Sequence, residues 1–188
     1  MNIYVEELIL KEDYHGFKPK TFKFKPGINL IVGENGAGKS TLLKLVGDHN
    51  NKVKKEIKLT PETITNGVET AYFDTEKDNP RMQDTQYAKD VGYVLQSHFV
   101  SHGESLLPII LAIKDRKNTV IFIDEPESAL SLKNQLKILK SIKTAEKNGC
   151  QIFIATHSYI LIKNMKTVFD VSIGDWITSE EFLKDVNI

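Results

Sequence analysis

The residues with the most evident chemistry are consecutive: Gly33-Glu34-Asn35-Gly36-Ala37-Gly38-Lys39-Ser40-Thr41. They fit G-x-x-x-x-G-K-[ST], the pattern of a phosphate-binding loop. Gly33, Gly36 and Gly38 let the backbone turn sharply and approach a ligand closely. The exposed N–H groups and the positive end of a following helix make an anion site. Lys39 would reach the β- and γ-phosphates, and the Ser40 hydroxyl would sit on Mg²⁺. Two further groups of polar residues follow apolar runs. Asp124-Glu125-Pro126-Glu127 comes after Val120 to Ile123, and Thr156-His157-Ser158 comes after Ile152 to Ala155. A carboxylate at the end of a buried strand is where nucleotide hydrolases hold Mg²⁺, which suits Asp124. Glu125 could accept a proton from an attacking water. His157 could contact a γ-phosphate, hold that water, or be structural.

These groups need strands that end together. Residues 28–32, 120–123 and 152–155 are short runs rich in β-branched residues, as expected for strands covered on both faces. Helical spacing of Leu132, Leu136, Leu139, Ile142 and Ala145 predicts a core-facing helix between the last two, stopped at Asn148-Gly149. The phosphate loop opens a helix ending near Gly47. Further strands are expected at 3–10, 21–25, 57–59, 68–73 and 168–173, and further helices at 87–99, 105–113, 159–164 and 180–186, the last capped by Ser179. Alternating strands and helices predict an α/β fold with a mostly parallel sheet, and ligands then bind beyond the carboxyl ends of its strands. Gly33, Asp124 and His157 all fall at such ends.

The bulk properties restrict the setting. A chain of 188 residues suits one domain, taken as residues 1–188. Lys plus Arg and Asp plus Glu are each 25, so no overall field draws the chain to nucleic acid. Lys52, Lys54, Lys55 and Lys58 cluster, either as a solvated face or as a nucleic-acid contact. Cys150 is the single cysteine, which excludes an intrachain disulfide and fits a reducing, cytoplasmic setting. No run is long and apolar enough to span a bilayer, and the N-terminus lacks the pattern of a signal peptide.

The motifs together resemble those of ATP-binding-cassette (ABC) ATPases. Gly33 to Thr41, with Asn35, is similar to that family's phosphate loop, and Val120 to Pro126 to its second motif. Ser128-Ala129-Leu130-Ser131 resembles the loop that meets the other subunit, and His157 the switch histidine. Val100-Ser101-His102-Gly103-Glu104 resembles the family signature, with His102 in place of a glycine and Val100 in place of a leucine. The resemblance implies a P-loop fold with an antiparallel N-terminal β part and a reduced helical subdomain. It also implies a homodimer that sandwiches ATP and Mg²⁺. Ser101, Gly103 and Glu104 of one copy would cover the γ-phosphate held by Lys39 of the other, and Glu125 would act as the base. The glutamine that follows the strand before the signature is not placed: Asp74-Thr75-Glu76 stand there, and Gln83, Gln86 and Gln96 come later. Tyr14 and Phe17 are candidates to stack on adenine, or are ordinary packing. The signature ending in Glu and the Ala-Thr-His-Ser run resemble the soluble branch of chromosome-maintenance, repair and overcoming-lysogenisation-defect ATPases. That branch implies a switch acting on a partner protein, a nuclease or other effector, with DNA as a further ligand. The alternatives are the ATPase subunit of a membrane transporter and a nucleotide-dependent binding module with negligible hydrolysis.

Overall fold

The computed structural model describes residues 4–47, 54–60, 70–74, 107–108 and 110–186. Two sheets form. The smaller is antiparallel, in the order β2 (Lys20–Lys23), β1 (Tyr4–Leu10), β4 (Lys55–Thr60). The larger has six strands. Its order is β5 (Thr70–Asp74), β6 (Val120–Asp124), β7 (Gln151–Ala155), β3 (Ile28–Val32), β8 (Thr167–Asp170), β9 (Asp175–Thr178). Every neighbouring pair is parallel except β8 and β9. The fold is therefore the expected α/β P-loop arrangement with an antiparallel part contributed by the N-terminal region.

Alternation of side chains along each strand splits the core in two. Ile121, Ile123, Ile152, Ile154, Leu30 and Val32 face one layer with Ile138, Leu139 and Ile142 of α2 (Leu132–Lys147). Val120, Phe122, Phe153, Ile31 and Phe169 face the other, against β1, β2 and α1 (Lys39–Val46). Phe122 and Phe153 are partners in the β6–β7 register, and their rings stack at 5.1 Å. Both strands are buried along their whole length, which explains why their sequences show apolar runs and no polar alternation.

Four sequence expectations change. The stripe on α2 is rotated: Leu132 and Leu136 are 69% and 52% exposed. The buried face carries Asn134, Ile138, Ser141, Ile142 and Ala145 instead, and Asn134 at its start is polar. The strand expected over 168–173 stops at Asp170, and a turn through Gly174 (φ 66°) starts β9. Thr178, not Ser179, caps the last helix, α4 (Ser179–Asp185), in a reciprocal pair with Glu181. The helix expected at 105–113 is helical at 107, 108, 110 and 111 and tightens to a 3₁₀ turn at Ala112–Asp115. The helix expected at 87–99, and with it the reduced helical subdomain, lies outside the described residues.

Candidate nucleotide site

The loop leaves β3 after Val32 and enters α1 at Lys39. Gly38, at φ 98°, forms the corner before the helix, and a Cβ there would lie 2.8 Å from the Phe17 ring. Lys39 is buried, and its ammonium folds back onto the loop, donating to Gly33 O at 3.2 Å and Glu34 O at 3.0 Å. Burial lowers its pKa, opposed by the charges of Glu125, Asp124 and Glu127. Ser40, the second residue of α1, reaches the end of β6, where its hydroxyl donates to Asp124 Oδ1 at 2.8 Å. A hydroxyl and a carboxylate in contact at a helix N-terminus are oxygen ligands of the kind Mg²⁺ takes, and phosphate oxygens and water would complete its shell. The donor set therefore fits the ion.

β7 lies between β6 and β3, so residues after β7 reach both the carboxylates and the loop. Asp124 ends β6 and is buried. Glu125 follows in the left-handed region, φ 48°, held by its N–H donating to Ala155 O at 2.9 Å. A side chain in that conformation costs about 1–2 kcal/mol, which the surrounding bonds offset. Thr156 is buried; His157 is exposed. Between the loop and His157 is a cavity of about 440 Å³, floored by Ile162 of α3 (Tyr159–Lys163) and by Phe182 and Leu183 of α4.

The motif residues did not single out Glu127. Its Oε1 accepts from His157 N–H at 2.5 Å. Burial raises its pKa, and hydrogen bonds from the Thr156 hydroxyl and His157 N–H oppose that shift. A second carboxylate just past a strand end was its only signal in the sequence. Gln135 was missed as well: it donates to Leu130 O at 3.1 Å and accepts from Ser158 Oγ at 2.7 Å.

The structure thus gathers Gly33 to Thr41, Asp124, Glu125 and His157 at the ends of three adjacent strands. Ser101, His102, Gly103 and Glu104 lie outside the described residues, as do Gln83, Gln86 and Gln96. Phe17 abuts the loop and packs edge-on to Phe22, whereas the Tyr14 ring meets His15. Of the lysine cluster, Lys54 and Lys58 pair with Glu12 and Glu7, and Lys55 donates to Leu45 O at the end of α1. That pattern suits a solvated face.

Residues 56–163, more than half the chain, match a family model described as "AAA domain, putative AbiEii toxin, Type IV TA system". Residues 12–47 match a second AAA-domain model. The galactose/methyl galactoside import ATP-binding protein MglA of Fusobacterium nucleatum is 26% identical over 86% of this chain and 40% of its own length. The ATP-binding protein Uup of Buchnera aphidicola is 26% identical over 71% of this chain and 26% of its own. The chain thus spans well under half of each. Among solved structures, a dimeric ATP-binding cassette in a post-hydrolysis state, bound to ADP and Pi, superposes with a TM-score of 0.57. It is 14% identical, with 94% of this chain and 98% of that one covered.

Proposed function

The chain belongs to the AAA-domain family of ABC-type ATPases, and from that premise we propose that it is an ATP-driven switch, residues 1–188 forming the ATPase domain. What supports this most is the meeting of Lys39, the Ser40–Asp124 pair, Glu125 and His157 at neighbouring strand ends. On nucleotide binding, the Lys39 ammonium leaves the carbonyls of Gly33 and Glu34 for the β- and γ-phosphates. The amides of residues 33–41 cradle the phosphate chain. Ser40 and Asp124 would hold Mg²⁺, which would supply positive charge to offset that of the phosphates. Glu125 takes the proton of the attacking water, and His157 faces the γ-phosphate.

The same reading gives Ser101, Gly103 and Glu104 of a second copy the role of covering the γ-phosphate. ATP then joins two copies, and hydrolysis parts them. Glu125→Gln is the test. It should retain nucleotide, release phosphate at least 100-fold more slowly than wild type, and show doubled mass by light scattering with ATP. Phosphate release at the wild-type rate would remove Glu125 from the role of base.

The effector is a partner protein, and DNA is a further ligand of the dimer. The likeness to MglA favours a second reading, the ATPase subunit of a transporter. Among the described residues no helix is long and apolar enough to cross a membrane, so a permease would then be a separate segment or chain. Co-purification with neighbouring gene products separates the two readings. Phosphate release with and without DNA tests the reading as a nucleotide-dependent binding module.

A further inference from the structure

Two hydrogen-bonded straps tie the loop after β6 to the loop after β7. The first is Glu127 Oε1 to His157 N–H, at 2.5 Å. The second runs from Leu130 O through the Gln135 amide to Ser158 Oγ, with bonds of 3.1 and 2.7 Å. Around Glu127 the chain is a run of tight turns, Ser128 N to Glu125 O and Leu130 N to Glu127 O, each 3.0 Å. Glu125 and Ala129 both sit at positive φ within it. The segment therefore has little freedom of its own, and its position follows that of its partners. Ser158 Oγ also caps α3 by accepting from Leu161 N–H, which anchors the second strap in a helix.

We propose that Glu127 is a positioning residue: by gripping the His157 amide it fixes the exposed imidazole against the γ-phosphate and couples it to the loop of residues 128–131. The inference rests on the ATPase reading above and adds to it a residue that acts through His157. The physical reason is geometric. His157 is exposed and its ring makes no hydrogen bond among the described residues, so its backbone is what sets its place. Its amide lies just past the last ladder residue, Ala155. A charge-assisted bond to a partly desolvated carboxylate is among the stronger ways to hold such an amide. A misplacement of about 1 Å at a reacting group can cost on the order of 100-fold in rate.

The test uses the full chain and five variants: Glu127→Ala, Glu127→Gln, His157→Ala, the Glu127→Ala/His157→Ala pair, and Lys39→Ala as the inactive reference. Hydrogen exchange at the His157 amide reads the grip without any catalysis. It should speed at least 10-fold in Glu127→Ala and stay near wild type in Glu127→Gln, whose amide oxygen can still accept. Phosphate release should fall 10- to 100-fold in kcat in Glu127→Ala, with KM for ATP within about 3-fold and most of the rate restored in Glu127→Gln. In the His157→Ala background, Glu127→Ala should add little, because its effect passes through His157. Unchanged exchange in Glu127→Ala overturns the inference. So does faster exchange with unchanged kcat, or a rate loss that multiplies fully with that of His157→Ala. A wild-type rate no higher than that of Lys39→Ala refutes the ATPase reading itself, and this inference falls with it.

Discussion

Gln151 joins the two sheets, and its replacement should show how much that junction contributes. The side chain is 2% exposed and lies at the start of β7. It accepts from Val5 N–H at 2.7 Å and donates to Val5 O and Lys25 O, each at 2.9 Å. Val5 lies before the stretch of β1 that pairs with β2, which starts at Glu7. Each such bond contributes about 1 kcal/mol net, and each buried group left unpaired costs about 1–3 kcal/mol. Gln151→Leu should therefore lose about 3–4 kcal/mol. Trp176 is the only tryptophan and donates to Lys23 O across the same junction, so its fluorescence reports on it directly. With a urea slope of about 2 kcal/mol/M, the midpoint should fall by about 1.5–2 M. Gln151→Glu sharpens the test. Its carboxylate keeps an acceptor for Val5 N–H but turns a second oxygen on two carbonyls, so the folded state favours the protonated form. Stability of that variant should be greatest below about pH 4 and fall as pH rises. A Gln151→Leu loss under 1 kcal/mol, or a Gln151→Glu protein as stable as wild type at pH 7, would refute the reasoning.

Other outcomes follow from single contacts. Gly38→Ala must hold a Cβ at φ 98° and 2.8 Å from the Phe17 ring. It should cost about 1–2 kcal/mol in chemical denaturation and weaken nucleotide binding at least 10-fold by calorimetry. Gly36→Ala meets nothing within 4 Å but must still hold φ 77°, so it should carry the backbone strain without the clash and lose less binding than Gly38→Ala. Leu136→Lys, on the exposed side of α2, should change stability by no more than about 0.5 kcal/mol. Burial raises the Glu127 pKa, so the folded state holds its proton more tightly than the unfolded chain does. Its contribution to stability is complete below the unfolded value, about 4.3, and is lost as pH rises through the folded value. Glu127→Gln removes that titration, so its stability relative to wild type should improve from pH 4 to pH 7.

The positions of the reactive groups were legible because each is tied to a strand end, and strand ends announce themselves where an apolar run gives way to polar residues. Ile123 to Asp124 and Ala155 to Thr156 are such breaks, and the sheet order then gathers them. Glu127 and Gln135 were not legible, because their roles are contacts to backbone groups of another loop, which no spacing in the chain records. Leu132 and Leu136 misled for a related reason. They continue the helical repeat of Leu139 and Ile142, but the buried face runs through Asn134, Ile138 and Ser141, and the polar residues at 134 and 141 conceal it. The turn after Asp170 was hidden because Val171 and Ile173 prolong an apolar run, and only Gly174 marks the reversal.

Several of the site's polar groups satisfy one another. Ser40 donates to Asp124, Lys39 to two loop carbonyls, and Glu127 accepts from His157 N–H. Binding is therefore an exchange of hydrogen bonds more than a gain in their number, and such exchanges contribute little net free energy. What a triphosphate brings beyond an exchange is charge. It meets a buried ammonium that now faces only carbonyl dipoles at hydrogen-bonding distance, and a helix N-terminus with no acidic residue in its first turn. Glu125, Asp124 and Glu127 press the other way by favouring the charged lysine while repelling phosphate oxygens. A divalent cation held by Asp124 would offset that repulsion, and the Ser40–Asp124 hydrogen bond already keeps two of its would-be oxygen ligands together.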